Sequence, residues 1–383
     1  MAGAVRAART PPFRAEHIGS PLRPEFLIAA RRRLGAGTMG GDELATIEDE
    51  AIAAAVRLQE AAGFAVVTDG EFRRASYHGY FYGRLGDITI DALPFPLRQA
   101  GEGRVGSEAA DGDGRGLQPT ARIGSRVAWP GPIHVGDFIR LKSVASAMPK
   151  ITIPGPCALH FRGGDIAVMA AYEDVDAFWR DIVDTFRGEL HALAAAGCHY
   201  VQIDETAFAK FGDPDVREAL AARGDNWDTL IDRYIDVTNE VTRGISDLHI
   251  GMHLCRGNRS GRWHAQGSYD AVAERLFSNL DIGFFFLEYD SPRAGDFTPL
   301  RFVPKHKSVV LGLVSTKTPA MEDIDELRYR VDDASRFVDL DRLGVSPQCG
   351  FASVEAGNPI TFQAQEAKLR LVVDLARSIW GTN

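Results

Sequence analysis

An imidazole and a thiol two residues apart, His253 and Cys255, close the apolar run 248–255. Alternate residues of a β-strand share a face, so this pair can offer both groups to one metal ion. Alone, such a pair is as readily a buried structural one. Two further ligand types change the weighing: Glu288 closes the run 282–288, and Cys349 closes 343–349. One imidazole, two thiols and a carboxylate, each at the downstream end of an apolar run, make a donor set suited to zinc. A metal held this way deprotonates a thiol, and the thiolate is the reactive nucleophile.

The elements that must position these groups are legible in the hydrophobic pattern. Eight strand-like runs, at 13–19, 64–68, 150–153, 199–204, 248–255, 283–288, 308–314 and 343–349, alternate mostly with helix-like stretches. The helical stretches are 42–62, 174–196, 227–247, 269–280, 320–338 and 360–380. Several strand runs are continuously apolar, as strands buried on both faces of a parallel sheet are. The pattern predicts an α/β fold, a (β/α)8 TIM barrel, with a doubly wound sheet as the competing arrangement. Barrel active sites lie at the carboxyl ends of the strands, which is where all four candidate ligands fall. A bare barrel needs about 250 residues. The surplus is expected in an excursion over the barrel mouth at 72–149, after the second strand. Residues 1–12 are expected as a tail and 13–383 as one barrel domain.

Composition narrows the function classes. The chain has 383 residues, 45% hydrophobic and 25% charged, with net charge −9 and pI near 5.6. That balance excludes a general nucleic-acid binder. No apolar run reaches membrane-spanning length, and the N-terminus lacks a secretory apolar block. A cytoplasmic location without membrane partners is the expectation, and a homo-oligomer is compatible with it. The four cysteines, 157, 198, 255 and 349, show no disulfide spacing. Cys157 and Cys198 read as packed core residues, and Phe284–Phe286 as core packing. The glycine clusters at 101–116 lack the Lys-Ser/Thr of a phosphate loop. Asp204 and Glu205 end a strand and face opposite sides. Asp204 is expected to face substrate and Glu205 to form a structural ion pair. Arg162, Arg256 and Arg259 are mouth candidates for an anionic substrate tail.

Six segments carry a family resemblance: His17-Ile-Gly-Ser20, Thr68-Asp-Gly-Glu71, Gln202-Ile-Asp-Glu205, His253-Leu-Cys-Arg-Gly-Asn258, Leu287-Glu-Tyr-Asp290 and Ser346-Pro-Gln-Cys-Gly350. With them the chain, from His17 onward, resembles the catalytic C-terminal domain of cobalamin-independent methionine synthase, and its shorter stand-alone relatives more closely. The superfamily also includes epoxide:coenzyme M transferases. The resemblance implies a (β/α)8 barrel and a zinc cofactor (Zn2+) held by His253, Cys255, Glu288 and Cys349. It implies that Ser20, Glu71 and Asp204 hold the amino-acid part of a thiol substrate. It does not extend to the large N-terminal domain of the full-length synthase. Two further departures fall on the donor side. Ser315-Thr-Lys-Thr-Pro319 stands where the family has Asp-Ile-His-Ser-Pro, so Lys317 occupies the catalytic histidine's place. Arg162 stands where a folate-packing Trp is found.

The expected function is transfer of a methyl or other alkyl group to a zinc-activated thiol, homocysteine first. The partners are then a small-molecule thiol and an alkyl donor, methyl-folate or another. Lys317 is expected to protonate the leaving group or pair with an anionic part of a substrate, and His78 is a second catalytic candidate in a mouth loop. The alternative is attack of a coenzyme M-type thiolate on an epoxide, which needs a basic pocket. A non-catalytic metal or thiol carrier is the reading from another class.

Overall fold

Eight extended segments run parallel around a barrel in this computed structural model, which describes residues 11–90, 97–99, 102–105 and 121–382. Six form one continuous sheet in chain order: Ile151–Pro154, Tyr200–Asp204, His249–Leu254, Phe284–Glu288, Ser308–Val314 and Leu343–Pro347. Val66–Val67 pairs in parallel with Met148–Pro149, just ahead of the third of these barrel strands. The first segment touches the last through Ala15 and Val345, with Glu16 N donating to Val345 O at 2.9 Å. Side chains bridge the first and second segments: His17 Nε2 lies 3.1 Å from Val66 O, and Thr68 Oγ1 donates to Gly19 O at 2.6 Å. The fold is the (β/α)8 barrel that the periodicity predicts.

Strand alternation sorts the side chains. Tyr200, Phe284, Phe286 and Val310 pack with Phe13, Ile18 and Val66 in one cluster inside the barrel. Their neighbours Val201, Phe285, Leu287, Val309 and Leu311 join the larger core under the helices. The interior parity continues upward: Tyr200 is followed by Gln202 and Asp204, Phe286 by Glu288, and Lys150 by Thr152. Period-two geometry therefore carries an apolar barrel floor into a polar rim at the carboxyl ends. A buried ion pair, Lys150 Nζ to Glu16 Oε2 at 3.1 Å, fills the space between.

The long helices follow the predicted stretches, and four of them begin on capping side chains. Asp174, Asn226, Asp323 and Thr361 each accept a backbone N–H from the first turn of the helix that follows. The segment between the second and third strands contains the helix Val135–Val144 and an antiparallel pairing of Ile88–Ile90 with Ala121–Ile123. Much of the glycine-rich stretch 101–116, and residues 1–10 of the expected tail, lie outside the described residues. Among the described residues, no helix is long and apolar enough to cross a membrane.

Candidate active site

Above the polar rim lies a cavity of about 430 Å3. Ser20, Glu71, His78, Arg162, Asp204, His253, Cys255 and Cys349 all line it. Sequence reading had proposed each of them. Glu288 and Lys317 do not line it.

The ligating atoms of His253, Cys255 and Cys349 lie within 4.8 Å of one another, and all three residues are buried. His253 sits on the strand His249–Leu254, and Cys255 follows directly. Cys349 comes just after Leu343–Pro347, so both thiols occupy the turns leaving their strands. Gly350 lets this turn close on Ser20: a Cβ there would stand 1.8 Å from Ser20 Oγ. The imidazole is held at both nitrogens, Nδ1 2.9 Å from Asp204 Oδ1 and Nε2 3.1 Å from Gln348 O. Burial disfavours its charged form, but Cys255 and Asp204 outweigh burial and lift His253 to about 9. The two thiols behave as a pair. A hydrogen bond from Cys255 pulls the Cys349 thiol down, while Cys349 and burial push Cys255 well up.

Glu288 stands outside this cluster. Its Oε2 accepts the Arg256 N–H at 2.5 Å, and its Oε1 accepts Lys317 Nζ at 3.0 Å and the Arg293 guanidinium. Burial opposes its ionisation, yet Lys317, Arg293 and Arg256 hold it far below the usual carboxylate range. Lys317 in turn donates to Asp290 Oδ2 at 2.9 Å. Burial pulls its ammonium down, but Asp290 and Glu288 outweigh that and raise it. An ammonium claimed by two carboxylates is a poor proton donor, so the structure does not present Lys317 as a free acid.

Glu71 is the most exceptional residue of the cavity wall. It is one of two non-glycine residues with positive φ, at 58°, among the described residues. Such strain persists only where the surroundings impose it, and it concentrates at functional sites. Oε1 accepts from Thr152 Oγ1 at 2.8 Å, while the buried Oε2 has no hydrogen-bond partner. Burial, opposed by Arg74 and reinforced by Asp204, raises its carboxyl. One acceptor oxygen of this buried carboxylate is thus unused.

His78 is 8% exposed and its Nδ1 is unpartnered. Burial, then Arg162, Lys210 and Arg259, push it well below its ordinary range, so it is neutral. Of the mouth arginines, Arg162 and Arg259 line the cavity. Arg256 does not: it donates to Glu288 O and Gly267 O and lies 4.2 Å over the Tyr269 ring. Glu205 corrects another expectation. Among the described residues it forms no ion pair, and instead its oxygens accept the N–H groups of Cys157 and Ala207 at 3.0 and 2.9 Å. Cys157 and Cys198 are buried and donate to backbone carbonyls.

The catalytic-domain profile of the cobalamin-independent synthases matches residues 166–378. The chain belongs to the cobalamin-independent methionine synthase family. The Bacillus subtilis protein YxjH, itself uncharacterized, is 38% identical over 375 residues, 97% of this chain and 96% of its own. A methionine synthase of Pyrococcus furiosus is 21% identical over 336 residues, 87% of this chain and 84% of its own. Among solved structures, the putative vitamin-B12 independent methionine synthase of Listeria monocytogenes superposes with a TM-score of 0.72 at 29% identity. That match covers 98% of this chain and 100% of the other. The Shewanella B12-independent methionine synthase solved with selenomethionine shares the fold, with a TM-score of 0.69 at 18% identity, covering 96% and 97%.

As a methionine synthase-like member of a methyltransferase family, the chain carries a cavity residue that sequence reading missed. Lys210 ends the short helix Ala207–Lys210, is buried, and lines the cavity beside Thr206. Its position in the loop after a barrel strand was the available signal, since those loops build the mouth.

Proposed function

We propose that this chain transfers a methyl group from a small-molecule donor to the thiol of homocysteine, with zinc held by His253, Cys255 and Cys349. The observation that carries this reading is the meeting, in one cavity, of a soft three-donor cluster and a buried carboxylate, Glu71, whose Oε2 has no hydrogen-bond partner. Two thiols and an imidazole within 4.8 Å fit zinc, whose tetrahedral bonds of about 2.0–2.3 Å place neighbouring donors less than 4 Å apart. Bound there, zinc would supply the deprotonation of the acceptor thiol near neutral pH. Glu288 is the fourth candidate ligand. It is held ionised, and its reaching the cluster requires Lys317 and Arg293 to give up Oε1.

The residues' own roles follow from their chemistry. Glu71 Oε2 and Asp204 bind the ammonium of the amino-acid thiol through charge-assisted hydrogen bonds. Ser20, pressed against Gly350, meets the carboxylate. Asp204 also fixes the His253 ring, so one carboxylate ties acceptor binding to the metal cluster. The thiolate sulfur supplies the electron pair of the new S–CH3 bond. The donor's leaving atom keeps the pair of the bond that breaks, and takes a proton if it leaves as an amine. The raised Lys317 retains its proton and acts on Glu288 by position.

Zinc-edge X-ray absorption on the purified protein, without and with homocysteine, tests this. A resting shell of two sulfurs with nitrogen and oxygen, gaining a third sulfur on addition, is the expected result. A zinc shell that ignores homocysteine removes the proposed acceptor. Failure to bind stoichiometric zinc after reconstitution under reducing conditions removes the metal reading.

A further inference from the structure

The cavity has a second pole. Arg162, on the helix Ala158–Val168, and Lys210, at the end of Ala207–Lys210, are 3% and 1% exposed. Neither makes an ion pair among the described residues. Arg162 Nη2 reaches only the Tyr77 hydroxyl, at 3.5 Å. Lys210 Nζ donates to Thr206 Oγ1 at 2.8 Å and lies 5.4 Å from the Phe161 ring centroid. Tyr77 is also hydrogen-bonded to Thr206, so a chain of hydroxyls joins the two cations.

Buried cations without a counter-ion are expensive and therefore rare. Other buried arginines and lysines are partnered in one of two ways: Arg98 pairs with Asp213, Lys150 with Glu16 and Lys317 with Glu288 and Asp290, while Arg23, Arg256 and Lys307 each donate to two or more backbone carbonyls. Arg162 and Lys210 instead face the cavity. Glu205 acts on both cations, but its oxygens are held by the Cys157 and Ala207 N–H groups and it pairs with neither cation among the described residues. Burial aside, Glu71 is acted on by Arg74 and Asp204 and is engaged by Thr152, whereas His78, burial aside, is acted on by Arg162, Lys210 and Arg259. An amino-acid thiol carries its ammonium and carboxylate on one carbon, so both fall at the Glu71 pole.

We propose that Arg162 and Lys210, joined through Tyr77 and Thr206, form an oxyanion subsite that binds a carboxylate, sulfonate or phosphate group of the alkyl donor. The donor is thus an anionic small molecule whose charged group is anchored on one wall while its alkyl carbon faces the Cys255–Cys349 cluster. This rests on the reading of the cavity as a thiol-alkylation site.

The test is calorimetric titration of the full chain with methanesulfonate and with inorganic phosphate, with and without saturating homocysteine. Wild type is expected to bind at least one of these probes. Lys210→Met and Arg162→Gln are each expected to weaken it at least tenfold, and Arg162→Lys to recover part of the loss. Homocysteine should leave probe affinity within twofold. In the absence of any anion Lys210→Met should melt no lower than wild type, because it removes an unpaired buried charge; a merely structural lysine would lower the melting temperature. The proposal is overturned if wild type binds neither probe or if both variants bind as wild type does. Mutual exclusion between homocysteine and the probe also overturns it, since the anion then belongs to the thiol substrate, as 2-mercaptoethanesulfonate would require. Homocysteine binding, followed in the same titrations, reports separately on the acceptor reading.

Discussion

Lys317 Nζ lies 3.0 Å from Glu288 Oε1, and both groups are buried. This contact decides the state of the one expected ligand that stands apart from the His253–Cys255–Cys349 cluster. Glu288 keeps its charge because the cations Lys317, Arg293 and Arg256 offset it and the Arg256 N–H donates to it, and Asp290 holds Lys317 in place.

Replacing Lys317 by Met leaves two buried carboxylates short of a partner. Breaking a buried pair from one side is costly, but Arg293 remains, so a loss of about 2–4 kcal/mol is expected. Urea unfolding of metal-free K317M measures it. Unchanged stability would show that Arg293 alone neutralises Glu288 and that Lys317 has no holding role.

How much of this was readable beforehand follows from the kind of information each feature needs. The strand ends that carry His253, Cys255 and Glu288 were legible because period-two and apolar-run signals are local. The partner of Glu288 was not: Arg293 sits in the 3-10 turn Pro292–Ala294 and Lys317 in the loop after another strand, and only the closed barrel brings them together. The helix Ala158–Val168 was hidden by Gly163-Gly164, where Gly164 takes φ 62° inside it. The first strand reads as a full run but makes one bridge, at Ala15, because Glu16 and His17 use their side chains inside the barrel and Gly19 turns the chain at φ 120°. Lys210 escaped notice because nothing local distinguishes a lysine without a counter-ion from a solvated one.

Lys210 gives a pH signature. Burial first, and Arg162 after it, pull its ammonium from 10.5 down to about 8, against Cys255, Glu205 and Glu288, which raise it. His78, which it faces, is neutral across this range. Between about pH 8 and 10.5 the unfolded chain therefore keeps a proton that the folded chain has released. Stability rises with pH through that window, by about 3 kcal/mol in total. Denaturant unfolding from pH 7.5 to 10 should show this slope in wild type and a flatter one in Lys210→Met. Methanesulfonate affinity should fall above pH 8, since the oxyanion needs the protonated amine.

Two other side chains give a slope of the same sign in the acid range. Burial and Lys150 hold His17 near 3; burial and Arg74 hold His134 near 3. Below the ordinary value of 6.5 the unfolded chain binds protons that the folded chain refuses, so stability falls as pH falls. By pH 5 each histidine should remove about 2 kcal/mol. A denaturation series from pH 7 to 5 measures the sum. A flat series would mean that neither imidazole is kept neutral by the fold.

Glu71 separates binding from folding. Its carboxyl is raised by burial and by Asp204, so ionisation in the folded chain is resisted and its charged form is destabilising above the ordinary carboxylate range. Glu71→Gln keeps the side-chain oxygen that accepts from Thr152 and removes the buried charge, so stability at pH 7 should be equal or higher. The ammonium of the acceptor, however, loses a charge-assisted hydrogen bond worth about 1.5–3 kcal/mol. Homocysteine affinity should therefore drop roughly 10- to 100-fold, with the zinc shell seen by X-ray absorption unchanged. The two readouts move apart only if Glu71 is a receptor. A variant that loses stability and affinity together would make it a structural residue, and one that binds homocysteine as wild type does would move the ammonium to Asp204 alone.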